Sequence, residues 1–334
     1  MSAAPLAVVT GAAGFIGSHM VDLLLERGVR VHAIDNLSGG RRENLAHHAD
    51  DTRLVFEVRD IRELRADEPL FAGAQYVFHF AGIGDIVPSI ERPVDYLSTN
   101  VMGTIAALEA ARHAGVRKFV YAASSSCYGL AAELPTTERA PIRPQYPYAL
   151  SKSLGEEAVL HWGQVYKLPV MSIRIFNAYG PRSRTTGAYG AVFGVFLAQK
   201  LAGKPLTVVG DGTQRRDFVF VTDLAKAFLR AAESDRRQGV YNVGAGKPQS
   251  VNRLVELLGA PDGIVRLPKR PGEPDCTWAD ITNIQRELGW APAVPFDEGV
   301  RIMLEHIDAW RSAPVWDEAA IAEATKTWFA CLQA

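Results

Sequence analysis

The chain has 334 residues, 48% hydrophobic and 22% charged, enough apolar side chains for a sizeable core and too many for a disordered polymer. Its 36 basic and 37 acidic residues leave a net charge of −1, which removes the electrostatic case for nucleic acid or an anionic membrane as partner. No apolar run reaches the length of a membrane span, and Met1-Ser2-Ala3-Ala4-Pro5 lacks the basic start of a signal peptide, so a cytoplasmic protein is expected. Cys127, Cys276 and Cys331 are odd in number and widely spaced, as reduced thiols would be. No Cys/His cluster has zinc-like spacing; His47-His48 reads as an exposed pair, and no metal is expected.

In chain order, short β-like runs are expected at 7–10, 30–34, 53–57, 76–80, 118–122 and 170–175, with helical patterns at 17–27, 93–114 and 147–166. This alternation predicts an α/β fold: a doubly wound, parallel, Rossmann-type sheet covered on both faces. After Asn177 the pattern becomes rich in Gly, Pro and Arg, with helices expected at 191–202 and 296–310. A division follows: a dinucleotide-binding domain over 1–176, a smaller C-terminal α/β substrate domain over 177–334, and a strand near 239–244 returning to the first sheet. The apolar spacing after 315, with Trp316 and Trp328, suggests a packed helix of no evident function.

The first strand runs into Gly11-Ala12-Ala13-Gly14-Phe15-Ile16-Gly17. Gly11 permits a tight turn, Gly14 lets backbone N–H groups approach a pyrophosphate, and Gly17 lets the helix pack on the strand. The second strand ends in Asp35, 18 residues beyond Gly17. A carboxylate there suits the ribose hydroxyls of NAD and repels the 2′-phosphate of NADP, whereas Arg41 and Arg42 would suit that phosphate.

Tyr148 and Lys152 are four residues apart and share one helix face. A free phenol has a pKa of ~10 and is a poor base at neutral pH. A neighbouring ammonium and a positive nicotinamide ring both favour phenolate, so a pKa brought near neutrality is expected. Ser124, at the C-terminal edge of the fifth strand, would align the reacting oxygen. The spacing therefore selects Ser124, Tyr148 and Lys152 as catalytic candidates for alcohol–ketone chemistry.

These blocks resemble the extended short-chain dehydrogenase/reductase family, in particular its nucleotide-sugar epimerases and dehydratases. The resemblance covers about residues 6–310 and includes His79-Phe80-Ala81-Gly82, Arg174-x-Phe176-Asn177, Gly210-Asp211-Gly212 through Arg216-Asp217-Phe218, and Arg270-Pro271-Gly272. It implies NAD contacts at Gly11, Gly14, Phe15, Ile16, Gly17, Asp35, Asn36, Leu37, Asp60, Ile61, Phe80, Ala81, Gly82, Asn100, Tyr148 and Lys152. It implies substrate contacts at Ser124, Ser125, Ser126, Asn177, Arg216, Arg270 and Thr277, with Asn177 and the two arginines on a nucleotide diphosphate.

Family dehydratases carry an acid and a base just after the catalytic Ser/Thr. This chain has Ser125 and Ser126 there, which disfavours elimination and leaves C4 epimerisation through a transient 4-keto sugar. Thr277 stands where some sugar epimerases carry a Tyr that excludes a 2-acetamido group, so UDP-N-acetylglucosamine and its galacto epimer are expected substrates beside the plain hexoses. A 4,6-dehydratase, a 4-keto reductase and a non-catalytic dinucleotide sensor are the competing readings. The resemblance also implies a homodimer formed through the helices at 93–114 and 147–166.

Overall fold

A computed structural model describes residues 4–185 and 191–332; the first three residues of the N-terminal expectation lie outside this range. Seven parallel strands form the central sheet. Their spatial order is Leu54–Val58, Arg30–Asp35, Leu6–Thr10, Tyr76–His79, Lys118–Ser124, Val170–Ile175, Gln238–Val243. Pairing alternates the side chains cleanly: Ala7 and Val9 face one core, Leu6 and Val8 the other. With both faces covered, the strands read as continuous apolar runs rather than as alternating ones. Strand order reverses between Leu6–Thr10 and Tyr76–His79, which opens a crevice at their C-terminal ends.

The first core packs helix Phe15–Glu26 against helix Val221–Glu233, joining Val21 and Leu24 to Leu224 and Phe228. The second places Leu108, Tyr121 and Val159 between the other sheet face and helices Thr104–Ala114 and Pro147–Tyr166. A third core gathers Tyr179, Phe193, Phe218, Phe220 and Trp310 with two-stranded pairs such as Leu206–Val209 beside Ile264–Leu267. Helix Val192–Leu201 lies on it, and helix Phe296–Glu305 gives way to a tighter turn at Ile307–Trp310.

The stretch expected as one helix at 93–114 has a break in period. Helix Pro93–Leu97 is followed by a wide π-type turn, Ser98–Gly103, before Thr104–Ala114. Thr104 Oγ1 donates to Asn100 O at 2.7 Å. A Cβ on Gly103 would stand 2.5 Å from Ile61 Cδ1, so any side chain there would have to displace Ile61. No helix among the described residues is long and apolar enough to cross a membrane.

Candidate active site

The glycine loop fits a dinucleotide for steric reasons. Gly11 has φ 67°, and a Cβ there would lie 2.7 Å from Ala81 N; a Cβ on Gly17 would lie 2.1 Å from Gly11 O. Neither position tolerates a side chain without moving backbone. The helix that begins at Phe15 has no side-chain cap at its N-terminus, the arrangement an anion-binding helix start requires.

Asp35 is buried at the end of its strand. Its Oδ2 accepts from Ala13 N at 3.0 Å and its Oδ1 from Leu37 N at 2.7 Å. Burial raises its pKa, while the amides of Leu37, Ala13 and Gly14 oppose that shift. The carboxylate thus shapes the glycine loop, with lone pairs left for hydroxyl donors. Leu37 sits at φ 60°, turning the chain after Asp35. Asn36 Nδ2 donates to Asp60 Oδ2 at 2.9 Å, bringing that predicted pair together. The arginines that argued for NADP are engaged elsewhere: Arg41 Nη1 bonds Thr185 Oγ1 at 2.9 Å, and the Arg42 guanidinium lies 5.3 Å from the Phe56 ring centre.

Other predicted cofactor residues offer backbone more than side chain. Phe80 packs on Phe228 with ring centres 4.6 Å apart, and Ile61 is buried under Gly103. Ile16 joins the first core, whereas Phe15 lines the large cavity described below. Ala81 N reaches Thr10 Oγ1 at 3.4 Å. From Thr10 a buried chain of bonds runs through His79 Nδ1 at 2.7 Å and Nε2 to Thr104 Oγ1 at 3.0 Å, ending on Asn100 O. Burial pushes His79 down to about 3, so this imidazole is neutral. The Asn100 side chain holds Ile83 N and O at 2.8 and 3.0 Å, fixing the segment after Gly82.

Of the three catalytic candidates, Ser124 and Tyr148 meet, while Lys152 lies against Tyr121. Tyr148 is hydrogen-bonded by the Ser124 and Ser126 hydroxyls, and these two serines also bond each other. Lys152 Nζ lies 4.4 Å from the Tyr121 ring centre. The ionisation expected from spacing is not what the chain alone provides. Burial raises the Tyr148 pKa against the pull of both serines, and burial pushes Lys152 down to about 7, with Glu156 countering. Desolvation penalises both charged forms, which spacing cannot show.

Glu156 was not legible as a site residue. It stands one turn beyond Lys152 on the same helix face, and its carboxylate takes Ser172 Oγ at 2.6 Å and Arg174 Nη2 at 2.5 Å. Arg174 Nη1 continues to Tyr128 OH at 2.8 Å, which donates to Asn242 Oδ1 at 2.7 Å. This buried network fastens the returning strand to the turn after Ser124. Cys127 packs there as a small hydrophobe, its thiol pushed up to about 12 by burial.

A cavity of about 560 Å³ runs from this centre into the second half of the chain. Ser124, Ser125, Ser126 and Tyr148 line it, as do Asn177, Arg216, Arg270 and Thr277. Arg216 Nη2 bonds Glu273 Oε1 at 2.7 Å, and Arg270 Nη1 lies 3.8 Å from Glu273 Oε2, so both guanidinia converge. Thr277 is a fastener as well as a wall: its hydroxyl donates to Asn177 Oδ1 at 2.7 Å and accepts from Asp217 N at 3.1 Å. Buried Asp217 was also missed; it accepts from the amides of Ala245, Gly246 and Ala279.

His47 and His48 are not merely an exposed pair. Both place Nε2 at 2.8 Å from Asp22 Oδ1, a group with the composition of a metal-ligand set. Arg182 bonds the other Asp22 oxygen, so the cluster ties loop 180–182 to the first helix.

Residues 7–244 match the NAD dependent epimerase/dehydratase family. The chain belongs to that family. Its cofactor is NAD, consistent with the glycine cradle, the uncapped helix start and Asp35. Among relatives in this family, the UDP-glucose 4-epimerase of Mycolicibacterium smegmatis is 37% identical over 304 residues, covering 89% of this chain and 97% of that one. The UDP-N-acetylglucosamine 4-epimerase of Methanobrevibacter ruminantium, solved with UDP-N-acetylmuramic acid, superposes with a TM-score of 0.87 at 32% identity, covering 92% of this chain and 99% of its own. The UDP-glucose 4-epimerase of Thermotoga maritima, solved with UDP-glucose, gives 0.85 at 33% identity and coverage of 91% and 99%.

Proposed function

We propose that the protein is an NAD-dependent 4-epimerase of nucleotide-diphosphate sugars, interconverting UDP-N-acetylglucosamine with UDP-N-acetylgalactosamine and UDP-glucose with UDP-galactose. The observation that carries this reading is the single cavity with Tyr148 and Ser124 at one end and Arg216 and Arg270 along it. The names of the relatives point to the same substrates.

Gly11, Gly14, Gly17 and Asp35 hold the dinucleotide, with Asn36 and Asp60 at its adenosine end. NAD, when bound, supplies the hydride acceptor and donor and sets a positive ring beside the phenol. Tyr148 takes the proton of the sugar 4-hydroxyl and later returns it. Ser124 holds that oxygen in line, and Lys152 stabilises the phenolate. Arg216, Arg270 and Asn177 grip the diphosphate, leaving the 4-keto sugar free to turn and present its other face. Ser125 and Ser126 offer no strong acid or base for loss of water.

The two units are read as 1–176 with the returning strand, for cofactor, and 177–334, for substrate. We place the protein in the cytoplasm as a homodimer. Val94, Met102, Leu150, Val165 and Tyr166 are exposed on the two helical stretches expected to pair, which supports that contact.

Turnover in D2O tests the chemistry. Epimerisation gives product of unchanged mass with no deuterium on carbon, since the hydride returns to the carbon it left. Product lighter by one water and deuterated on carbon would identify a dehydratase and overturn the reading.

A further inference from the structure

The segment beyond Trp310 lies outside the stretch that carries the family resemblance, yet it borders the cavity. Ala313, Pro314, Trp316 and Trp328 all line it.

Two anchors hold this tail. Gln199 is buried beneath its start; Nε2 donates to Trp316 O at 2.6 Å and to Thr207 Oγ1 at 2.8 Å, while Oε1 accepts from Thr207 N at 3.1 Å. That fixes Trp316 beside strand Leu206–Val209, where Thr207 and Val209 line the same end of the cavity. Helix Glu318–Leu332 then runs to the other end. Trp328 is buried there, donates from Nε1 to Pro271 O at 2.7 Å, and sits 6.0 Å from the Tyr146 ring. Tyr146 stacks on Tyr148 at 6.4 Å and 8°. Thr327 Oγ1 reaches Glu91 Oε1 at 3.2 Å, so the tail bridges helix Ile86–Glu91 and the loop carrying Arg270.

A nucleotide sugar is a linear molecule, and this inference rests on the functional reading above. With the sugar at Tyr148 and the diphosphate at Arg216 and Arg270, the base must lie at the remaining end, beside Val209 and Trp316. We propose that the C-terminal tail completes the substrate site, with Trp316 as the platform for the nucleobase and Trp328 as the wall at the junction of diphosphate and sugar. Bases stack on aromatic rings whatever their identity, and an indole offers the widest face. Trp328, next to Pro271 and Tyr146, then bears on the sugar and not on the base.

Calorimetric titration of the full chain with UDP, UDP-N-acetylglucosamine and UDP-glucose tests the division. Trp316→Ala weakens all three ligands by about tenfold, and Trp316→Phe recovers most of the loss. Trp328→Ala leaves UDP within about twofold and weakens both UDP-sugars by about tenfold. Unchanged UDP affinity in Trp316→Ala, or unchanged UDP-sugar affinity in Trp328→Ala, overturns the assignment. So does a loss of ligand binding that comes together with loss of retained NAD, the mark of a damaged fold. If the intact chain binds none of the three, the functional reading falls first and this inference with it.

Discussion

The role proposed for Tyr148 depends on what surrounds it. Its hydroxyl sits among Ser124 and Ser126 in a site dry enough to raise its own pKa. Tyr148→Phe keeps the ring and its stacking on Tyr146 but removes the proton carrier. Turnover is expected to fall by about 10³-fold while NAD content and UDP affinity hold, as rate assays and cofactor release would show; a loss of less than tenfold would remove Tyr148 from proton transfer. Thr277 lines the cavity and clasps Asn177 to Asp217, and its proposed role is to set the room beside the sugar. Thr277→Tyr is expected to cut kcat/KM for the N-acetylated substrates at least about tenfold more than for the hexoses. Thr277→Val, which breaks the clasp at constant size, lowers both classes alike; equal losses in Thr277→Tyr would sink the size argument. The meeting of Ser124 and Tyr148 was legible because one ends a strand and the other opens a helix. The depressed Lys152 was not, because its burial depends on packing that spacing does not show, such as the Tyr121 ring from the neighbouring strand, while Glu156 on its own helix pulls the other way.

Buried imidazoles tie elements together. His79 joins the fourth strand to the first strand and to the helix after the π-type turn, and His19 Nε2 bonds Pro181 O at 3.0 Å. Burial lowers His79 to about 3 and His19 to about 4. Below pH ~6.5 the unfolded chain takes up protons that the folded chain refuses, so stability is full above that pH and falls as pH drops toward these values. By pH ~4.5 each imidazole costs on the order of 3 kcal/mol. Urea unfolding at pH 7.5 and 4.5 measures this, and equal midpoints would contradict it. The strands of the first half were readable because sheets buried on both faces leave apolar runs. The π-type turn was not: its signal is a local change of period around Asn100, set by Thr104 and by Ile61 under Gly103. The second half was harder still, since pairs such as Arg215–Arg216 with Gln249–Ser250 are too short for any pattern.

At the scale of the molecule, the cavity is built from both halves of the chain, with Phe15, Ser124 and Tyr148 from the first and Asn177, Arg216 and Arg270 from the second. Long-range contacts decide that shape, which is why the tail's tryptophans were visible in the sequence but their destination was not. The exposed apolar residues on the two helical stretches predict a dimer in solution, and Val165→Glu with Met102→Glu is expected to give a monomer by light scattering; a wild-type monomer would remove that contact. As an epimerase, the chain would carry its own NAD and invert C4 without consuming it. Purified protein with no added cofactor, given UDP-N-acetylglucosamine or UDP-glucose and followed by proton NMR, tests this most directly. A galacto-configured anomeric signal that grows to an equilibrium plateau is expected. No such signal with either sugar, even after NAD is supplied, would contradict it.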